Sequence, residues 1–203
     1  MKLYSIIIYK WQEESQGGAL EMQTAYELAS FSFFQRPTIR EHIKFHSRLA
    51  CTRTPVGSRQ KIEFDQNLGF CYTKVDPKGI GCAVLADAEY PQRAAFKLVD
   101  EALREFETAA HGKWEDATKD MDGLYPQLLE YLAKFQDPVQ VDKLMKIEKD
   151  LDEVKGVLVQ SMDGLMKRGE KIEDLMQKSK DLSKTSVNFY RTAKKNNQCC
   201  KAW

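Results

Sequence analysis

Residues 144–196 read LMKIEKDLDEVKGVLVQSMDGLMKRGEKIEDLMQKSKDLSKTSVNFYRTAKKN. One residue series runs through this stretch without a break: Leu144, Ile147, Leu151, Val154, Leu158, Ser161, Leu165, Arg168, Ile172, Leu175, Ser179, Leu182, Ser186, Phe189, Ala193 and Asn196. Its steps of three and four alternate, which is the 3.5-residue period of a left-handed coiled coil. As one helix the stretch would be roughly 80 Å long at about 1.5 Å per residue.

Such a helix is not stable alone. Gly156, Gly164 and Gly169 interrupt it, each costing about 1 kcal/mol relative to alanine, and its apolar stripe would lie in water. The segment must fold back on the rest of the chain or join other helices, and its length favours a multichain bundle. Arg168 stands at the centre of the series. A guanidinium is always charged and needs several acceptors, so burying it unpaired is costly. Either it snorkels out of a loose bundle, or it forms a polar layer that fixes register, with partner helices supplying carbonyl oxygens such as those of glutamine. Ser161, Ser179 and Ser186 fill little volume, which favours a heteromeric bundle.

Upstream, the pattern is that of a small α+β domain. Residues 2–10 are dense in Ile and Tyr and predict a strand; residues 19–28 predict a second, weaker one after the Gln16-Gly17-Gly18 turn. A helix is expected from Thr38 through Arg48. Strands follow at 59–65, 68–75 and 80–86, then helices from Pro91 to Ala110 and from Tyr125 to Phe135. The expected order is β-β-α-β-β-β-α-α, an antiparallel sheet covered by helices.

The chain has 203 residues and a formal net charge of +1. No acid follows Asp181, and Arg191, Lys194, Lys195 and Lys201 make the end locally basic. This is too little and too local for a nucleic-acid footprint, but it suits an anionic membrane surface if something else holds the tail there. No stretch of about 20 apolar residues predicts a transmembrane helix. Lys2 stands where N-myristoylation requires glycine. Of five cysteines, Cys51, Cys71 and Cys82 are scattered and Cys199 and Cys200 are adjacent. The pattern fits neither a disulfide scaffold nor zinc, and implies a reduced, cytosolic chain.

No catalytic constellation is present, and no cofactor is expected. His42 and His46 lie one helical turn apart, but without a third ligand they imply a packing or surface role rather than a metal site. Gly79-Ile80-Gly81 is too short for a phosphate loop and reads as a turn. Phe31, Phe33, Phe34 and Phe45 either pack into the core or form a groove for an apolar partner.

Taken together, the chain resembles the Ykt6 subfamily of SNARE proteins over nearly its whole length. The resemblance lies in Met1-Lys2-Leu3-Tyr4-Ser5, Ser30-Phe31-Ser32-Phe33-Phe34-Gln35-Arg36 and Ala88-Glu89-Tyr90-Pro91 for a longin domain. It continues in Leu151-Asp152-Glu153-Val154-Lys155, Arg168-Gly169-Glu170-Lys171, Phe189-Tyr190-Arg191-Thr192-Ala193-Lys194-Lys195 and Cys199-Cys200. It implies a longin domain at 1–136 (a profilin-like five-stranded antiparallel sheet flanked by helices), a linker at 137–143, an R-SNARE coiled-coil motif at 144–197 and a lipidation tail at 198–203. Arg168 would be the zero layer, facing glutamines of three Q-SNARE helices (Qa, Qb and Qc), with Leu158, Leu165, Ile172 and Leu175 in adjacent layers. The bundle would drive fusion of vesicle membranes.

The resemblance also implies that the longin domain packs on the SNARE segment in a closed, soluble form, with Phe45 in that contact. Cys200 would be prenylated and Cys199 would carry a palmitoyl or other second lipid. The protein would cycle between the cytoplasm and the cytoplasmic face of Golgi, ER-derived vesicle, endosomal or vacuolar membranes. Lys201-Ala202-Trp203 departs from the usual prenylation box. A trafficking adaptor or coiled-coil tether without fusion activity is the alternative.

Overall fold

The structure, a computed structural model, describes residues 1–64, 69–137 and 157–200, with side chains through residue 195. Five strands form the antiparallel part of one sheet: β1 (Leu3–Lys10), β2 (Leu20–Tyr26), β3 (Arg59–Glu63), β4 (Phe70–Val75) and β5 (Ile80–Ala86). The spatial order is β2-β1-β5-β4-β3. Three helices cover it: α1 (Arg36–Arg53), α2 (Gln92–Ala110) and α3 (Leu128–Phe135). The domain thus has the α+β architecture that its sequence pattern predicts.

The period-2 alternation of the strands divides the core in two. Ile6 and Ile8 of β1, with Ile80, Cys82 and Val84 of β5, pack beneath α2 and α3 around Phe96, Phe106 and Phe135. Ile7 and Tyr9, with Ala83 and Leu85, point to the opposite face beneath α1. Both faces of β1 are therefore covered, which is why its sequence is an unbroken apolar run rather than an alternating one. Helix α1 begins two residues before the expected Thr38, because Pro37 fits the first turn, where no intrahelical N–H bond is lost. It continues to Arg53, past the expected end.

The C-terminal segment departs most from its sequence pattern. Its described part is not one helix. It forms β6 (Leu158–Ser161), a 3-10 turn at Asp163–Leu165, α4 (Ile172–Lys178) and α5 (Lys184–Cys200). Strand β6 joins the sheet parallel to β3, with Gln60 opposite Leu158 and Glu63 opposite Ser161. The free edge of β3 supplies backbone partners, and the sheet face beside α1 supplies an apolar surface. Together they override a helical period that has no partner helices to satisfy it. The layers at Leu144, Ile147, Leu151 and Val154, the residues of the expected linker after Asp137, and Lys201–Trp203 lie outside the described residues.

Candidate functional site

The face of the sheet beside α1 is where the C-terminal segment lies, and its chemistry is built around one buried cation. Arg48 projects from α1 with its guanidinium between two carboxylates. Its Nε donates to Asp181 Oδ2 at 2.6 Å and its Nη2 to Asp181 Oδ1 at 3.1 Å. Its Nη1 and Nη2 donate to Asp120 Oδ1 and Oδ2 at 2.9 and 3.0 Å. A further bond from Nη1 reaches the Ala19 carbonyl at 2.6 Å. All five bonds match the planar fork of arginine, which lysine could not reproduce. Burial by itself opposes the charge, but the hydrogen bonds that Arg48 donates to Asp120 and Asp181 outweigh it and hold its pKa above its ordinary value. Asp120 belongs to the α2–α3 connection and Asp181 to the segment between α4 and α5. One side chain thus ties three remote pieces of chain together.

Around this clasp the contact is apolar. Met162, Leu165, Ile172, Met176 and Tyr190 are buried in one cluster with Ile43, Phe45, Leu49, Ile62 and Phe64. Burying side chains of this kind is worth about 1.5–3 kcal/mol each before the entropy of ordering them. Phe45 lines an open cavity of about 340 Å3 with Leu175, Leu49, Arg48 and Asp181. Of the heptad series, Leu165 and Ile172 are buried and Leu175 is half-buried, while Leu158 remains 55% exposed and Phe189 39% exposed. Met162, Met176 and Tyr190, which the heptad series omits, are among the most buried residues of the segment. The segment therefore buries a face that overlaps its heptad seam without coinciding with it.

Arg168 is exposed, at the outer corner of a turn. The Glu170 N–H donates to the Lys167 carbonyl at 3.0 Å, and Gly169 adopts φ +85°, which glycine accepts without strain. The Glu170 carboxylate accepts from the Lys167 N–H at 2.8 Å and from Arg53 Nη2 of α1 at 3.0 Å. Glu14 pairs with both Arg53 and Lys167. The hydrogen bond from Lys167, aided by the charge of Arg53, keeps the Glu14 pKa below its usual value.

The His42–His46 pair meets α5. His42 Nε2 is 3.0 Å from the Ser186 carbonyl, and its ring lies 6.1 Å from those of Phe189 and Tyr190. His46 Nδ1 bonds the His42 carbonyl at 2.7 Å, while its Nε2 is buried without a partner among the described residues. Burial pushes His46 down to about 4 and lowers His42 as well. The rings of Phe45 and Phe64 lie 5.1 and 5.0 Å from His46. Among the described residues no group of three or more His, Cys, Asp or Glu could hold a metal, and Cys51, Cys71 and Cys82 are free, buried thiols.

Residues 28–123 match the family model for the regulated-SNARE-like domain, named longin, and residues 143–203 match the synaptobrevin model. A longin sheet joined to a synaptobrevin-type segment defines a class, the longin-domain SNAREs. Full-length comparison narrows it. The chain is 39% identical over 201 residues to the synaptobrevin homolog ykt6 of Schizosaccharomyces pombe. It is 39% identical over 201 residues to the putative synaptobrevin homolog YKT6 of Dictyostelium discoideum. It is 35% identical over 200 residues to the VAMP-like protein YKT61 of Arabidopsis thaliana. In each case 98% of both chains is covered. The chain belongs to the Ykt6 subfamily of R-SNARE proteins, a group of non-catalytic membrane-fusion proteins.

Arg48, Asp120 and Asp181 were not among the residues that sequence reasoning picks out. The one trace was that Asp181 is the last acid before a basic tail. Replacing Asp181 with asparagine leaves half of the Arg48 fork facing a neutral group, and breaking a buried pair costs about 3 kcal/mol or more. Hydrogen exchange of residues 158–195 should accelerate in Asp181→Asn while the strands β1 and β5 keep their protection.

The histidines set a second expectation. Their folded pKa values lie below the ordinary 6.5, so packing favours the neutral rings. The stability they contribute is complete above pH 6.5 and declines as pH falls toward the His46 value of about 4. Protection of α5, corrected for intrinsic exchange rates, should fall across that window, and His46→Leu should flatten the dependence.

Proposed function

We propose that this chain is an R-SNARE that assembles with three Q-SNARE helices, Qa, Qb and Qc, into a four-helix bundle. In this reading the longin domain holds a closed form in which the bundle cannot assemble. One observation carries it: Leu165 and Ile172, two seam residues, are buried against the longin core. The same side chains cannot face partner helices at the same time. The domain division at 136–144, the zero layer at Arg168 with flanking layers at Leu158, Leu165, Ile172 and Leu175, and the autoinhibitory contact of Phe45 belong to this proposal. The turn at Lys167–Glu170 must unwind for Arg168 to enter a helix, and Gly169 gives that turn its left-handed corner.

The anchor in this reading is a pair of lipids, prenyl on Cys200 and palmitoyl or another second lipid on Cys199. One chain gives only marginal, reversible membrane binding, and two give a stable anchor. Cys199 would then set residence at the cytoplasmic face of Golgi, ER-derived vesicle, endosomal or vacuolar membranes. Intact mass of the protein from its own cells, with fragmentation of its C-terminal peptide, should find lipid on both cysteines; bare thiols at 199 and 200 would remove the anchor.

The bundle is tested by mixing the chain with three cognate Q-type helices. An SDS-resistant complex is expected. It should form faster with Phe45→Glu or Asp181→Asn than with the unaltered chain, and Arg168→Gln should alter its stability. If no such complex forms and Arg168→Gln changes nothing, the fusion reading is wrong.

A further inference from the structure

The loop between β2 and α1 holds two phenylalanines away from the protein. Phe33 is 74% and Phe34 90% exposed, and their rings meet edge to face at 5.7 Å. Neighbouring Phe31 turns inward onto Tyr4, with ring centroids 5.4 Å apart, so the exposure of the next two rings is not a fault of a loose loop. Hydrogen bonds tie both ends of the loop. The Phe31 N–H donates to the Leu28 carbonyl at 3.0 Å, and the Gln35 and Arg36 N–H groups donate to the Ser32 carbonyl at 2.9 and 3.2 Å. The Ala29 N–H is taken by the Glu27 carboxylate at 2.8 Å. Arg36 closes the loop from outside, donating from Nε to the Phe31 carbonyl at 3.1 Å and from Nη2 to the Ala29 carbonyl at 3.2 Å.

The bonds at Ala29, Phe31, Gln35 and Arg36 hold the two rings outward. Charge selects the partner, because the flanking cations form no ion pair among the described residues. Arg36 is spent on carbonyls, Arg40 lies over the Tyr26 ring at 4.9 Å, and neither has a carboxylate partner among the described residues. The nearby acid Glu41 is occupied by the Ser183 N–H at 2.8 Å. Apolar rings at the tip with fixed positive charge behind them match the layering of an anionic membrane surface, acyl chains below phosphate and carboxylate headgroups.

We infer that Phe33 and Phe34, backed by Arg36 and Arg40, are a membrane-insertion tip by which the longin domain itself touches an anionic bilayer. This contact is separate from the lipidated tail and does not depend on the bundle. It would let the domain lie against the membrane rather than swing free of it.

The test uses the unlipidated full-length chain and vesicles of phosphatidylcholine with or without about 30% phosphatidylserine. The chain should float with the anionic vesicles and not with neutral ones. Phe33→Ser/Phe34→Ser should weaken binding at least about tenfold, whereas Phe33→Leu/Phe34→Leu should retain most of it. Both changes are at exposed positions and should leave the melting temperature unaltered. The basic tail could also hold anionic vesicles, so Phe34→Trp provides a local readout. Its added fluorescence, relative to the unaltered chain, should be quenched by brominated phosphatidylcholine in the anionic vesicles. A tryptophan at 34 that is not quenched overturns the proposal, whether or not the basic tail still carries the chain to the vesicles. So does a dimer in sedimentation velocity that the double serine change converts to monomer, since the rings would then be a self-association surface.

Discussion

The Arg48 guanidinium is the constraint on which the arrangement of this molecule depends. A buried charge of this kind is tolerable only when its donors are matched, and here the matching groups come from α1's own neighbourhood at Ala19, from the α2–α3 connection at Asp120 and from the C-terminal segment at Asp181. Removing the segment would leave the fork half empty, with Asp120 and the Ala19 carbonyl as its remaining acceptors. The domain therefore favours its own C-terminal segment as a ligand, and does so through a directional contact with a defined register. The apolar cluster around Phe45 supplies area; the fork specifies where that area must sit.

The segment faces a choice between two ways of hiding the same stripe. A heptad helix leaves its stripe in water unless partner helices arrive. Broken into β6, α4 and α5, it instead buries Met162, Leu165, Ile172, Met176 and Tyr190 on the sheet and gives the edge of β3 a backbone partner. The breaks occur where they cost least. Gly169 takes a left-handed turn, and serines occupy both the junction of α4 with the Asp181 region and the start of α5. The cost of this accommodation is that Leu158 stays more than half and Phe189 more than a third exposed.

Two other elements bear on the same balance from different directions. The neutral His42–His46 pair makes the α1–α5 contact sensitive to proton concentration, because a charged His46 ring would have no acceptor at Nε2 among the described residues. The Phe33–Phe34 tip, in contrast, lies outside the contact between α1 and the C-terminal segment.

The sequence by itself determined the five antiparallel strands, the covering helices and the heptad phase centred on Arg168. Those follow from local pattern: the apolar runs of β1 and β5, whose two faces are both covered, and steps of three and four in the segment. It also displayed the aromatic residues of the loop before α1, without indicating that Phe31 would turn inward and Phe33 and Phe34 outward. Only the tertiary structure decided that residues 158–200 abandon a single helix, that Met162, Met176 and Tyr190 pack where the heptad pattern leaves them outside the seam, and that Arg48 meets Asp120 and Asp181. Periodicity reports what a segment can bury along its own axis. It carries no information about a charge pairing across 72 or 133 residues, because that pairing depends on where separate elements come to rest against one another.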